Sequence, residues 1–295
     1  MKAVRRWFVT GASRGLGRAL TEVVLDRGDR VVAAVRRPES VADLEQKYGS
    51  QIEVEQLDVS DLPAIDEVLG RVLARGPLDV VVNNAGFGVI GALEDQSPEL
   101  VQSQLTTMLH APIAITRAVL PALREHGGGH IFQISSIGGQ MAFPGNTVYN
   151  AVKWGLEGFS ESLAQDVAQF GIRVTIVEPG AIRTDFHHAA SFPAGNPAYQ
   201  EGAVAAVRGY FRPRPLPGRP RQGRRRDPRS QHPGEPAAAG SAGQRRLRRV
   251  VRHAAEPPRR PRAAGDARPV RGHRPGAGRI LSHRVRSAAP APTPW

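Results

Sequence analysis

Through the first 210 residues, apolar runs of strand length alternate with segments of helical periodicity. "AVRRWFVT" leads into "GLGRALTEVVLDRG", "RVVAAV" precedes a helical stretch near "SVADLEQKYG", and "QIEVEQLDV" precedes "SDLPAIDEVLGRVLARG". The last of these opens on a Ser/Asp cap and closes on Gly76, start and stop signals of a helix. Then come "LDVVVNNAG", a long helical region from Ser97 to about His126, "GHIFQISS", a helix from about Thr147 to Phe170, and "IRVTIVEPG". "LDVVVNN" and "RVTIVE" are apolar on both faces, as parallel strands are when helices cover both sides of a sheet. Six strand–helix alternations predict an α/β fold with a doubly wound parallel sheet. Pro112 and Pro121 fall inside the long helical region and predict a break near the first and a kink at the second.

The alternation stops in the last third of the chain. Residues 211–295 hold nine Leu, Ile, Val or Phe in 85 positions, well below the ~20 % under which a charged chain stays disordered. Charge follows the same division. Residues 1–210 carry 18 Lys+Arg against 23 Asp+Glu, and residues 211–295 carry 22 Arg against 4 acids, so the formal +13 of the whole chain arises in its tail. The composition predicts a folded unit over 1–217 and a disordered Arg/Pro/Ala/Gly-rich tail over 218–295. Cysteine is absent, which excludes a disulfide framework and thiolate metal sites. With no secretory h-region and no run of ~18 apolar residues, a soluble cytoplasmic protein without membrane partners is expected.

"VTGASRGLGRAL" sets Gly11, Gly15 and Gly17 where the first strand turns into the first helix, with Ser13, Arg14 and Leu16 between them. Glycines there allow a tight turn, close approach of a pyrophosphate to the main chain, and close helix–strand packing, while the helix N-terminus offers N–H donors and partial positive charge. The turn reads as the cofactor-binding corner of a Rossmann fold, and a packing turn is the plainer alternative. At the end of the second strand, NAD binders place an acid on the ribose 2′-hydroxyl. Here Val35 holds that position, followed by Arg36 and Arg37. With Arg14, these forked cations suit a 2′-phosphate and favour NADP over NAD, solvated surface charge being the alternative.

Ser136, Tyr149 and Lys153 follow in "SSIGGQMAFPGNTVYNAVKWGLEG". Tyr149 and Lys153, four apart at the start of a helix, share a face. An ammonium ~4 Å from a phenolate, at an effective dielectric of ~20, is worth up to ~4 kcal/mol, enough to bring a phenol of ordinary pKa ~10 into working range near neutrality. Ser136, at a strand end, can hydrogen-bond a substrate carbonyl.

The order of these motifs resembles the short-chain dehydrogenase/reductase family in its ~250-residue form, over about residues 1–217. "TGASRGLG" (Thr10 to Gly17), "LDV" (Leu57 to Val59), "NNAG" (Asn83 to Gly86), "ISS" ending at Ser136, "YNAVK" (Tyr149 to Lys153) and "PGAIRT" (Pro179 to Thr184) carry the likeness. The resemblance implies Tyr149 as general acid/base and Ser136 as carbonyl orienter. It implies Lys153 as the residue that lowers the Tyr149 pKa and binds the nicotinamide ribose. Asp58 and Val59 match adenine contacts, and Asn84, Ala85 and Gly86 the segment beside the cofactor. Pro179, Gly180, Ile182 and Thr184 match the nicotinamide side. It also implies a homo-oligomer packed through the helices near 100–126 and 147–170, a small carbonyl or alcohol substrate, and no metal. His187 and His188 read as polar loop residues within a substrate-lining segment, Phe186 to Tyr210.

Two departures stand out. Met108 occupies the position where the family usually carries a proton-relay asparagine, which predicts reduced turnover and leaves open a cofactor-binding or regulatory protein with little activity. After "RPLPG" the expected capped helix and final strand do not follow. One added base after the Gly218 codon can convert "GDPGKAAAAILAVNT" into "GRPRQGRRRDPRSQH", because Arg, Pro, Ala and Gly share GC-rich codons. A frameshifted C-terminus is therefore the leading reading of the tail. A disordered partner-binding arm and a nucleic-acid-binding arm are the alternatives, the last weakened by the scarcity of aromatics among the arginines. On the frameshift reading the last strand is missing and "RVTIVE" becomes an open apolar edge.

Overall fold

In a computed structural model, the structure describes residues 3–180, 190–211 and 278–280. Strands β1 (Arg6–Thr10), β2 (Arg30–Val35), β3 (Ile52–Gln56), β4 (Val80–Asn83), β5 (Gly129–Ile134), β6 (Ile172–Val177) and β7 (Gly278–Ile280) form one sheet in the order β3-β2-β1-β4-β5-β6-β7. All its ladders are parallel, so every chain segment between neighbouring strands must cross over one face. Helices α1 (Gly15–Leu25), α2 (Ala42–Tyr48), α3 (Leu62–Ala74), α4 (Pro98–Leu105), α5 (Ala111–Glu125) and α6 (Thr147–Val167) make those crossings, and α7 (Gly202–Phe211) follows β6. The strands feed two cores. Phe8, Val32, Val81 and Ile131 face one side with residues of α3, α5 and α6, while Trp7, Val9, Val31, Val80 and Phe132 face the other with α1 and α2. This is the doubly wound sheet that the alternating pattern predicts.

The end of the sheet at which β1 begins is fastened by Arg6. Its guanidinium donates to both Glu53 oxygens, at 3.0 and 2.7 Å, and to the carbonyls of Val72 and Gly76. The caps also follow the sequence. The Asp61 carboxylate accepts from the Ala64 N–H at the start of α3.

Two expectations are revised, at Pro112 and at residues 202–211. The break before Pro112 is a single π-helical turn, Thr106–His110, joining α4 to α5. Proline has no N–H to give the carbonyl four residues back, that of Met108, and the Ala111 N–H reaches instead to the Thr106 carbonyl five residues back. Helix α5 continues through Pro121, which lies on its exposed side. Residues 202–211, expected as loop, are helical; the Ala/Val spacing of "GAVAAVRGYF" carries that signal.

The expected missing last strand is corrected by β7, whose Gly278 and Ile280 register with Thr175 and Val177 of β6. The unpaired N–H and C=O groups along β6 are a ready template for such a segment. The tail's remaining expectations, disorder, frameshift or an interaction arm, lie outside the described residues, as do Ile182, Thr184, His187 and His188.

Candidate active site

The predicted site residues that are described lie at or beyond the C-terminal ends of the strands, with the glycine turn after β1 and Asn84 to Gly86 after β4 at the point where the strand order reverses from β1-β2-β3 to β4-β5-β6. Open α/β sheets bind ligands in that crevice.

Gly11 and Gly15 hold φ angles of 66° and 57°, in the left-handed region where a side chain is strained. At Gly17 a Cβ would collide with the Gly11 carbonyl and the Asn84 amide. Arg14 enters α1 in extended conformation, and no side chain caps the helix. The first-turn N–H groups of α1 therefore face the turn and suit an anionic group. Ser13 is half-buried within the turn and Leu16 packs against the α1-side core.

The opposite wall is built around Thr10, whose organising role the sequence gives no sign of. Its hydroxyl donates to the Val82 carbonyl and accepts from the N–H groups of Asn84 and Ala85, at 2.9 and 3.0 Å. Asn84 returns the link through its side-chain amide, which donates to the carbonyls of Thr10 and Gly11. Below them Asn83 and Gln133 share the buried Thr116 hydroxyl. Gly86 faces Met108, whose sulfur would lie 3.2 Å from a Cβ there.

Val35 is buried at the end of β2, and Arg36 and Arg37 beyond it are exposed. Neither they nor Arg14 form an ion pair among the described residues, whereas Arg18 pairs with Glu22 and Asp43 and ties α1 to the first turn of α2. The Leu57 N–H extends the β2–β3 ladder by bonding to Val35, which sets Asp58 and buried Val59 at the same sheet edge as Arg36. The Asp58 carboxylate accepts from the backbone and hydroxyl of Ser60.

Ser136, Tyr149 and Lys153 come together as predicted. The Ser136 hydroxyl accepts from the Gly138 N–H at 3.1 Å, which fixes the turn after β5, and the Ile137 N–H bonds to the Pro179 carbonyl. Gly180 follows Pro179 beyond the end of β6. The Lys153 ammonium donates to the Ile134 carbonyl at 2.8 Å and stands 5.8 Å from the centroid of the Tyr149 ring.

The electrostatics differ from expectation. Burial pushes the Tyr149 phenol above its ordinary value, and the hydrogen bond with Ser136 pulls it down in part. The lysine is itself desolvated. Burial lowers it to about 8, against an upward pull from Glu157 one helical turn along. The expected acidification of Tyr149 by Lys153 is thus corrected: the cation bonds a strand carbonyl, and desolvation of the phenol outweighs what remains. Glu157 is a group the sequence reading passed over, although it repeats the four-residue spacing that drew attention to Lys153.

Met108 is 1 % exposed and packs with Val148 and Val152 of α6, with Tyr149 at the margin of the cluster. A thioether there is a packing group beside the predicted acid–base pair. The described residues contain no group of three or more His, Cys, Asp or Glu able to hold a metal, and no helix long and apolar enough to cross a membrane.

Comparison with known proteins agrees with this geometry. The family model for short chain dehydrogenases matches residues 5–192. Oxidoreductase BOA17 of Botryotinia fuckeliana is 44 % identical over 185 residues, covering 61 % of this chain and 66 % of its own length. A short-chain dehydrogenase from Streptomyces avermitilis superposes with a TM-score of 0.67 at 44 % identity, over 70 % of this chain and 78 % of that one. A metagenomic short-chain oxidoreductase in complex with NADP gives 0.57 at 35 % identity, over 61 % and 83 %.

Proposed function

We propose, from the premise that the chain belongs to the short-chain dehydrogenase/reductase family of NAD(P)-dependent oxidoreductases, that it transfers a hydride between NADP(H) and the carbonyl or alcohol carbon of a small organic substrate. The observation that carries this reading is the convergence of Ser136, Tyr149 and Lys153 at the carboxyl end of β5, beside the glycine turn.

The turn fits a dinucleotide. Gly17 leaves no room for a side chain, the uncapped start of α1 offers donors to a pyrophosphate, and Arg14, Arg36 and Arg37 are exposed cations where Val35 replaces an acid. The metagenomic relative was solved in complex with NADP, which supports the phosphorylated cofactor here. Asp58, Val59, Asn84, Ala85 and Gly86 would line the adenine and sheet sides, and Pro179 and Gly180 the nicotinamide side.

A nicotinamide dinucleotide bound there supplies or accepts the hydride. Ser136 holds the substrate oxygen by hydrogen bond. Tyr149 gives its hydroxyl proton to that oxygen during reduction and recovers it during oxidation. Lys153, anchored on Ile134, keeps positive charge next to the site at neutral pH and thereby favours the ionised phenol each time the proton leaves. Lys153 is mostly charged below about 8, so the device works near neutrality.

Met108 supports a second reading, a cofactor-binding or regulatory protein with little turnover, because the apolar side chain offers no relay for the proton. Oxidation of NADPH and NADH with a panel of carbonyl compounds separates the two. Turnover with NADPH that is lost in Tyr149→Phe supports the enzyme. Tight NADPH binding without turnover of any carbonyl supports the second reading.

A further inference from the structure

The segment that follows Ser136, whose Gly138 lies against the Tyr149 ring, carries an apolar surface. Of the eight large apolar side chains left exposed among the described residues, three fall in the seven residues after Ser136: Ile137 at 42 %, Met141 at 54 % and Phe143 at 38 %. A fourth, Leu93 at 53 %, lies on the segment after β4. Backbone hydrogen bonds stitch these segments together: the Gly91 N–H bonds to the Gly145 carbonyl at 3.0 Å, and the Asn150 amide of α6 bonds to the Phe143 carbonyl. A third segment joins them where Ser191 exchanges bonds with Gly88 and Ile90. Residues 86–93, 136–147 and 190–196 contain no charged side chain.

Among the described residues, the cation that bonds to this wall is already engaged. Arg208 of α7 donates to the Asp95 carboxylate at 3.0 Å and to the Pro193 carbonyl. Asp95, whose side chain is 1 % exposed, also accepts from the N–H groups of Asn196 and Ala92. A guanidinium held this way is a poor receptor for a substrate anion, since leaving Asp95 would strand a buried carboxylate. Single exposed apolar residues are ordinary on a protein surface; a set concentrated on linked segments beside reacting groups marks a binding surface.

We propose that the substrate is an uncharged carbonyl compound, or the matching alcohol, whose reacting carbon is carried on an apolar chain lying against Ile137, Met141 and Phe143. The proposal rests on the redox reading above. Reduction would add the hydride to the carbonyl carbon and the Tyr149 proton to its oxygen, with NADPH as reductant, leaving the apolar chain unchanged.

The test is a series of unbranched methyl ketones of increasing length with NADPH, beside ketones of equal carbon count that end in a carboxylate. kcat/KM is expected to rise roughly two- to fourfold per added methylene over the first few, mostly through KM, and the carboxylates to be at least about tenfold poorer. Met141→Ser with Phe143→Ser should flatten the series, and Asp95→Asn should narrow the penalty on the carboxylates by freeing Arg208. A flat series, or preference for the carboxylates, overturns the proposal. The rise in melting midpoint on adding the same ketones with NADPH needs no turnover; absence of any length dependence there likewise overturns it. Absence of NADPH-dependent turnover of every ketone, beside a length-dependent rise in melting midpoint, would defeat the redox reading alone, because ketone binding is read separately.

Discussion

The Lys153 ammonium donates to the Ile134 carbonyl at 2.8 Å, so one cation joins the first turns of α6 to the last residue of β5. That bond fixes the lysine relative to Ser136, two residues beyond Ile134, and to Tyr149, one helical turn back. Spacing along the chain brings Lys153 near the phenol, and burial decides what the lysine does there.

Tyr149→Phe removes the hydroxyl while keeping the ring against Val148 and the Gly138 turn. Turnover is expected to fall about 10²- to 10⁴-fold, with NADPH affinity changed by no more than a few-fold. Steady-state assay beside a fluorescence titration with NADPH checks both halves.

The pH dependence follows from Lys153. Its folded value of about 8 lies below its ordinary 10.5, so between these limits the unfolded chain holds a proton that the folded chain has released. Stability therefore rises with pH across that window, and the burial penalty is felt in full below about 8. Denaturant midpoints for wild type minus Lys153→Met should increase from pH 7.5 to 9.5. Activity should run the other way, declining as the ammonium is lost through pH about 8.

Met108→Asn should raise kcat several-fold by supplying a polar group beside Lys153 and Tyr149, and should cost about 1–3 kcal/mol of stability because the amide enters the apolar cluster with Val148 and Val152. Rate profiles over pH, taken with thermal midpoints, measure the two effects; an unaltered rate at every pH removes Met108 from the account of the chemistry.

Arg36→Ala with Arg37→Ala should weaken NADPH about tenfold or more and leave NADH nearly unchanged, since only the phosphorylated ribose offers those cations an anion. Kd values for both cofactors decide it. An equal loss for the two would make the arginines general attractors of charge.

Most of the architecture was legible because parallel strands and their covering helices leave strong periodic marks: "LDVVVNN" and "RVTIVE" could be little else. The glycine turn and the Ser136, Tyr149, Lys153 set were legible as well, since each demands a fixed residue type at a fixed spacing. What the sequence did not disclose depends on distance in the chain or on dielectric. Arg208 meets Asp95 across 113 positions, with no periodicity to announce it. Thr10 is one hydroxyl among many until Asn84 and Ala85 fold against it. The direction of the Tyr149 shift required knowing that the ring is buried and that its lysine bonds elsewhere. β7 was missed because three residues within an arginine-rich tail carry no pattern of their own.

The π-helical turn at Thr106–His110 sets the rotational phase of everything after it. One extra residue in a turn rotates the following helix by about 100° relative to an unbroken one. Val101, Leu105 and Met108 thus lean on α6, while Ala111, Ile115, Val119 and Leu123 address the sheet. Deleting a single residue from this turn would leave composition and length almost untouched, yet swing a whole helix off its seat. An error of one codon there would be read by the protein as a misaligned gear.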